Sequence, residues 1–245
     1  MKKIIPILAV LMALCACDRF KSATYQDEMV MPLEGSQEDS LFYKLSLQYV
    51  SSGMLIPAME KINQAIVSQA FDLEAGAGSL EEAASQYRDN LIDEYIAENS
   101  GMVGQMPVLT WEDFITGEFT YKYKGWRNYQ INYYCYRGGA HGYSTCTQMV
   151  FDAKTGELLT QEALFADGFQ EPVALLMRER VKSNLETENA DILEFLDLGD
   201  IVPNGNFSVG PDGVEWLFQP DSILPHAFGL LTVKLSWDEL KPYLR

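Results

Sequence analysis

The order of the apolar patterns along the chain constrains its fold more than any other feature. Residues 41–49 alternate apolar and polar side chains, as a half-buried strand does, whereas residues 57–73 and 80–95 repeat apolar side chains at helical spacing. From Val108 to Phe151 the alternation of strands returns. Because strands and helices come in blocks and do not alternate regularly, the sequence predicts an α+β fold with antiparallel sheets, flanking helices and two sub-domains.

Three further elements are predicted in the second half of the chain. Apolar side chains at helical spacing indicate a helix over residues 171–188. Residues 207–219 are typical of a hairpin that turns through Pro211-Asp212-Gly213. A last strand over residues 230–235 leads to a short helix, and Ser236 is predicted to cap that helix.

The beginning of the chain has the form of a bacterial export signal. Two lysines precede the apolar run Ile4–Leu14, which is too short to span a bilayer comfortably. The run ends in Leu14-Cys15-Ala16-Cys17, which resembles the lipobox of bacterial lipoproteins. We therefore expect residues 1–16 to be a signal peptide and Cys17 to carry the lipid, palmitate included, on the extracytoplasmic side of an envelope membrane. An ordinary secretory signal is the alternative.

Composition and turn residues suggest where the chain divides. Residues 17–40 are rich in Asp, Glu, Ser and Gln without an apolar period, which predicts a flexible tether. Glycines near residue 105 suggest a boundary between a small α+β domain over residues 41–105 and a larger one over residues 106–245.

The chain is strongly acidic, with a formal net charge of -17. Removal of the signal peptide takes away two lysines and no acid, which brings the charge to -19 (-17 minus 2). Such a surface repels nucleic acid and anionic lipid headgroups and attracts a cationic protein from a distance. We expect no nucleic-acid partner and contact with the membrane through the lipid anchor alone. The alternative is an acidic surface that only keeps the protein soluble.

Two cysteines remain after the predicted signal and lipidation sites. Cys135 and Cys146 flank the glycine-rich segment Gly138–Gly142 almost symmetrically. An exported protein lies in an oxidising compartment, and a hairpin around this segment would bring the two residues nearly opposite each other. The sequence therefore predicts a Cys135–Cys146 disulfide, provided that the register does not point one of them away.

Several short sequence segments in the second half of the chain, taken together, resemble a known family. They are Tyr136–Gly142 with its Gly-Gly-Ala-His core, Phe151-Asp152, Thr155-Gly156, Leu164-Phe165, Asp212-Gly213, Trp216–Phe218 and Asp238–Leu244. The pattern is similar to the C-terminal domain of RsiV-type anti-sigma factors and PdaC-type deacetylases (DUF3298). The segment Leu41–Phe71 is similar to the PdaC-type N-terminal domain (DUF4163) that usually precedes it.

The resemblance implies an accessory, extracytoplasmic domain pair without known chemistry of its own. One branch of the family binds lysozyme as a receptor, and another accompanies a separate polysaccharide deacetylase domain. In this sequence we find neither a cytoplasmic segment to hold a sigma factor nor an appended catalytic domain. We therefore expect neither role to carry over unchanged.

The Gly-Gly-Ala-His segment contains the main candidate residues. His141 could act as a general base or a metal ligand, but no acid or cysteine stands near it at ligand spacing. We therefore expect His141 to be a loop residue that hydrogen-bonds across the hairpin, and His226, the other histidine, to lie far away. No metal or cofactor is expected. The candidate ligand-binding residues are Tyr136, Gly138, Gly139, His141 and Tyr143.

Neighbouring aromatic residues add to a recognition surface, since rigid aromatic faces bind sugars and proteins. They are Trp126, Tyr129, Tyr133, Tyr134, Tyr136 and Tyr143, and strand alternation turns about half of them inward. The sequence favours a lipid-anchored binding module without catalytic activity, whose ligand is an envelope glycan or a cationic glycan hydrolase such as lysozyme. The alternatives are an envelope carbohydrate hydrolase or deacetylase that uses His141, and a structural component of the envelope.

Overall fold

The structure is a computed structural model that describes residues 20–74, 78–188 and 190–245. The predicted signal peptide and Cys17 lie outside these residues. The first part is a five-stranded sheet in the order β1-β2-β3-β4-β5 with two helices between β2 and β3. Its elements are β1 (Lys21–Pro32), β2 (Ser40–Ser52), α1 (Ile56–Phe71), α2 (Leu80–Asn99), β3 (Trp111–Tyr123), β4 (Trp126–Tyr136) and β5 (Tyr143–Asp152).

The second part is a three-stranded antiparallel sheet with helices around it. Its strands and α-helices are α3 (Gln161–Leu164), α4 (Gln170–Glu188), β6 (Phe207–Gly210), β7 (Gly213–Phe218), β8 (Leu231–Ser236) and α5 (Trp237–Leu240). Short 3-10 turns occupy Ser100–Met102, Ala190–Glu194, Leu198–Asp200, His226–Phe228 and Lys241–Tyr243. The predicted α+β class is confirmed, with one five-stranded sheet, one three-stranded sheet and helices around both. Along the described ranges, no helix is long and apolar enough to cross a membrane.

One strand pair departs from the antiparallel prediction. β2 and β3 run parallel, with Leu41 opposite Trp111 and Leu47 opposite Gly117. A parallel pair needs a long crossover connection, and α1 with α2 supplies it. The boundary predicted near residue 105 therefore falls inside one sheet, because the strands before and after it are hydrogen-bonded to each other.

The prediction of a tether over residues 17–40 was wrong for residues 21–32. Residues 21–32 form β1, which pairs antiparallel with β2 along its whole length. The half-buried residues of β1 are polar or only moderately apolar. Tyr25 and Met29 are examples, and both pack at the margin of the hydrophobic core between the large sheet and its two helices. Asp27 on the same strand is neutralised by Arg88 of α2, at 2.7 Å. The strand thus depends on partners distant in sequence, which its own composition does not reveal.

Two hydrophobic cores meet at β5. The first lies between the large sheet and the helices α1 and α2, and its most deeply buried side chains include Leu41, Leu47, Ile62, Ile66 and Tyr129. The second lies between α4 and the small sheet around Trp216, Val173, Met177, Val209 and Leu235. Phe151 belongs to the first core and its neighbour Val150 to the second, because consecutive strand residues face opposite sides of a sheet.

Side-chain amides join the two parts. The fully buried Asn128 on β4 donates to the carbonyl of Val209 and accepts from its amide, at 2.9 and 2.8 Å. Asn206 and Gln219 bind the outer backbone edge of β5 at Cys146 and Gln148. These amides replace a further strand on that part of the edge, which would otherwise offer unpaired groups to another chain.

Candidate functional site

The Gly-Gly-Ala-His segment forms the connection between β4 and β5, as predicted. Gly138 and Gly139 both have positive φ angles, 82° and 93°, which other residues adopt only at a cost. The hydroxyl of Tyr136 donates to the carbonyl of Gly139 at 3.0 Å and closes the turn. Gly142 lies against the ring of Tyr134, so a side chain at this position would collide with it. The loop conformation is therefore set by its glycines and two tyrosines.

A buried ion pair anchors the base of this loop. Arg137 binds the carboxylate of Asp113 on β3, which is fully buried, and donates to the carbonyl of Glu112 at 3.0 Å. The hydroxyls of Tyr87 and Tyr133 also donate to the Asp113 carboxylate, each at 3.0 Å. A buried charge is stable only when it is paired and hydrogen-bonded, and here three side chains satisfy it.

The electrostatics of this cluster raise the pKa of Tyr87, Tyr133 and Arg137. Burial raises the pKa of Tyr87 and Tyr133 well above the usual value of 10, and nearby Asp113 raises both further. Burial alone would lower the pKa of Arg137, but its contact with Asp113 more than offsets this and raises it. The guanidinium also lies over the ring of Trp111, 4.7 Å from its centroid. The loop thus begins at a rigid, permanently charged anchor.

The two histidines, which are 85 positions apart in sequence, stack on each other. The ring centroids of His141 and His226 are 4.5 Å apart and the ring planes differ by 21°. Nδ1 of His141 lies 3.0 Å from the carbonyl oxygen of its neighbour Gly142, so the predicted hydrogen bond across the hairpin was wrong. Nδ1 of His226 lies 3.2 Å from Oδ2 of Asp221. The separation expected for the two histidines was also wrong, because the turn 226–228 folds back onto the β4–β5 loop.

A second aromatic pair begins in the same turn as His226. Phe228 lies in the same 3-10 turn as His226 and packs against Phe195, with ring centroids 5.6 Å apart. The two phenylalanines nevertheless stay 37% and 57% exposed. We call His141, His226, Phe228 and Phe195 the His–Phe strip. Sequence reasoning missed both phenylalanines, since neither stands near the glycine-rich segment along the chain.

The predicted aromatic surface is only partly on the outside. Tyr129 is fully buried and donates to the carbonyl of Gln48, and Tyr133 belongs to the Asp113 cluster. Tyr134 stacks on Phe114. Of the predicted ligand-binding tyrosines, Tyr143 is 44% exposed and Tyr136 is half-buried, so alternation along β4 turns much of the cluster inward.

The predicted disulfide does not form, and both thiols are free. The register of β4 and β5 places Cys135 opposite Tyr143 and Cys146 opposite Asn132. Because the two cysteines are three pairs apart in this ladder, an odd number, their side chains point to opposite faces of the sheet. Burial raises the pKa of the Cys146 thiol to about 11, so this thiol is poorly reactive.

A cleft of about 880 Å³ lies between β5 and the small sheet. Its lining combines apolar side chains such as Leu158 and Val202 with uncharged polar groups of Gln69, Thr147 and Gln161. Among the described residues that line it, the charged ones are the acids Glu162 and Asp200. This mixture of amides, hydroxyls and aliphatic surface suits a neutral polar ligand.

The outer face of α2 is strongly acidic. Its exposed acids are Glu81, Glu82, Asp89, Asp93, Glu94 and Glu98. Arg88 is the only basic residue of the helix, and it is paired with Asp27 and Asp89. Most of the acidic charge on this face is therefore left to act on the surroundings.

Comparisons with known proteins support one part of the resemblance. Residues 162–238 match the family described as "Protein of unknown function (DUF3298)". A DUF3298 family member from Bacteroides fragilis has the same fold, with a TM-score of 0.82, 18% identity and coverage of 92% of this chain and 94% of that one. A DUF3298 family protein from Pseudomonas aeruginosa gives a TM-score of 0.68 at 14% identity over 93% and 95% of the two chains. No curated protein matches the chain.

The DUF3298 resemblance is thus confirmed over the second core, which contains α4 and the small sheet. The Gly-Gly-Ala-His loop lies before the matched residues. The PdaC-type N-terminal domain and the lipoprotein signal stay predictions. The structural likeness extends over nearly the whole chain and shows the fold, at identities too low to transfer a function.

Proposed function

We propose that this protein is a lipid-anchored, extracytoplasmic binding module that captures a cationic protein of the cell envelope. A cationic glycan hydrolase such as lysozyme is the version that can be tested directly. The observation that carries the proposal is the His–Phe strip, two aromatic pairs at the surface, the first of which includes His141 on the anchored hairpin loop.

The strip has the properties of a protein-binding hot spot. Aromatic side chains offer large rigid faces, and exposed aromatic pairs such as Phe195 and Phe228 mark interaction sites more often than scattered single residues do. The Asp113–Arg137 anchor holds the loop that carries His141, so little conformational entropy is lost when a partner binds there.

The charge of the protein favours a cationic partner. With 35 acidic and 18 basic residues, the chain attracts positively charged proteins over distances near the Debye length. The exposed acids of α2 concentrate this charge on one helix face. Electrostatic attraction of this kind raises the association rate, while the aromatic contacts slow dissociation.

Two sets of variants test the proposal by calorimetric titration with lysozyme. The double variant Phe195→Ser/Phe228→Ser should weaken binding at least about tenfold, whereas Val30→Ser on β1, which is as exposed as Phe195, should not. A lysozyme complex with unchanged affinity in the double variant would place the interface elsewhere.

The charge contribution is tested with variants of equal charge change. Asp93→Asn/Glu94→Gln removes two acids from α2, and Glu179→Gln/Glu194→Gln removes two exposed acids from the second part. The first pair should slow association clearly more than the second, because steering depends on where the charges lie. Equal effects would mean that only the total charge matters.

An envelope glycan is the second candidate ligand, and the uncharged polar cleft favours it. In that case muropeptide or chitin oligosaccharides should bind the wild-type protein, and Leu158→Ala with Gln69→Ala should weaken them while lysozyme binding stays the same. Turnover of such a glycan that disappears in His141→Ala would instead support the hydrolase or deacetylase alternative.

A further inference from the structure

We infer that His141 and His226 together form a binding site for one divalent transition-metal ion of the zinc, nickel and copper class. The inference goes beyond the proposed capture of a protein and does not depend on it. It rests on the stacking of the two rings and on the acceptors that each Nδ1 contacts.

The contacts fix the tautomer of both rings. Nδ1 of His141 faces a carbonyl oxygen and Nδ1 of His226 faces a carboxylate oxygen, and both oxygens can only accept a hydrogen bond. Each Nδ1 must therefore carry the proton, which leaves the lone pair of a neutral ring on Nε2. Neither Nε2 atom has a hydrogen-bond partner among the residues that the structure describes. Two lone pairs that suit a metal are thus available side by side.

The surroundings of the pair resemble the support that metal-bound histidines usually have. A ligating histidine nearly always donates its other ring N–H to a carboxylate or a backbone carbonyl, which orients the ring and makes its Nε2 more basic. Asp221 supplies the carboxylate for His226, and Gly142 supplies the carbonyl for His141. Imidazole nitrogen favours zinc, copper and nickel over magnesium and calcium.

The geometry allows both rings to bind one ion after a small movement. Metal–nitrogen bonds of about 2.0–2.1 Å at a near-tetrahedral angle place two ligand nitrogens about 3.3 Å apart. The ring centroids are 4.5 Å apart, and both side chains lie at the surface, where rotation of the rings can close the difference.

The ion would have two protein ligands and open positions. In the described ranges no three His, Cys, Asp or Glu side chains come together as a metal-binding group. Water, or a residue from a bound partner, would complete the coordination. Because His141 follows β4 and His226 follows β7, the ion would tie the hairpin loop to the second part of the protein.

Calorimetric titration of the full chain, prepared without a histidine tag, tests the inference. Zn²⁺ and Ni²⁺ should each bind with a stoichiometry of one, and Mg²⁺ should give no saturable heat. His141→Ala and His226→Ala should each raise the Kd at least tenfold, and Asp221→Asn about tenfold, as loss of an orienting carboxylate usually does. Circular dichroism on each variant checks that the fold is retained.

Control variants separate this site from the thiols. Cys135→Ser should bind Zn²⁺ as the wild-type protein does, and the electron paramagnetic resonance spectrum of bound Cu²⁺ should show two nitrogen ligands. Binding that survives both histidine substitutions, or that is lost in Cys135→Ser, would overturn the assignment. The absence of saturable Zn²⁺ and Ni²⁺ binding to the wild-type chain would overturn it as well.

Discussion

Asp113 and Arg137 form an ion pair in which the carboxylate side chain is fully buried and the guanidinium side chain is 31% exposed. The pair connects β3 to the first residue after β4, so it fixes the point from which the Gly-Gly-Ala-His loop leaves the sheet. Tyr87 extends the connection to α2. A single buried carboxylate thereby joins the sheet, a helix and the loop that carries His141.

Replacement of this carboxylate should destabilise the protein strongly. Asp113→Asn leaves a partly buried guanidinium without its counter-charge, which should lower the free energy of unfolding by roughly 3 kcal/mol. Urea denaturation followed by circular dichroism measures this value. Asp93→Asn on the exposed face of α2 is the matched control and should stay within about 0.5 kcal/mol of the wild-type protein. Equal stability of the two variants would show that the buried pair contributes little.

The turn between β5 and α3 should tolerate no side chain at Gly156. Its φ of 75° is close to the 77° of Gly104, but a Cβ at Gly156 would collide with the backbone of Ala58, whereas Gly104 faces open space. In both Gly156→Ala and Gly104→Ala, the positive φ should lower the free energy of unfolding by about 1 kcal/mol. Gly156→Ala should lose roughly 2 kcal/mol more in thermal or urea unfolding because α1 must move. Similar losses at the two positions would contradict the close approach.

The amides at the edge of β5 should protect individual backbone groups. Oε1 of Gln219 accepts from the amide of Cys146 at 3.0 Å, and Oδ1 of Asn206 accepts from the amide of Gln148 at 2.6 Å. Gln219→Ala should therefore speed hydrogen exchange mainly at the amide of Cys146, and Asn206→Ala mainly at the amide of Gln148. In each case the free energy of local opening should fall by about 1 kcal/mol. Each variant is the control for the other. Uniform changes along β5 in both variants would indicate general loosening instead.

Low pH should weaken the capping box of the last helix, α5, in which Glu239 takes part. Hydrogen bonds from Ser236, and then the charge of Arg180 at 2.6 Å, hold the pKa of Glu239 below its usual 4.5. A lowered pKa in the folded state stabilises the protein above pH 4.5, and this contribution disappears as the pH falls through the folded-state pKa. Glu239→Gln should therefore have a lower melting temperature than the wild-type protein at pH 7. The difference between the two melting temperatures should become smaller toward pH 3.

Differential scanning fluorimetry across this pH range measures the gap in melting temperature. The exposed Glu179→Gln is the control and should show no comparable gap at neutral pH. A gap for Glu239→Gln that widens in acid would contradict the direction of the shift.

Local sequence signals were enough to predict several elements of the fold. The predicted cap at Ser236 is confirmed as a capping box, and Ser79 forms another, because both partners of each box lie within one helical turn. The hairpin of β6 and β7 turns at Pro211–Gly213, where Gly213 has no room for a side chain. Each of these features depends on residues that are close together along the chain.

Features that depend on distant pairing could not be predicted in the same way. β1 is too polar to look like a strand, since its Asp27 is neutralised by a residue 61 positions away. The disulfide prediction failed because a hairpin's register decides which face each cysteine occupies, and the loop length alone did not fix that register. The meeting of His141 with His226 likewise depends on how two sheets pack, for which neither loop gives a local signal.

Calorimetric titration of the full-length protein with lysozyme at low and at moderate salt is the most direct test of the proposed function. We predict a saturable one-to-one complex whose affinity falls as salt rises, because screening weakens the attraction between an acidic and a cationic protein. Phe195→Ser/Phe228→Ser should remove most of this affinity at both salt concentrations. No saturable binding at low salt, or binding that does not depend on salt, would contradict the capture of a cationic protein through this surface.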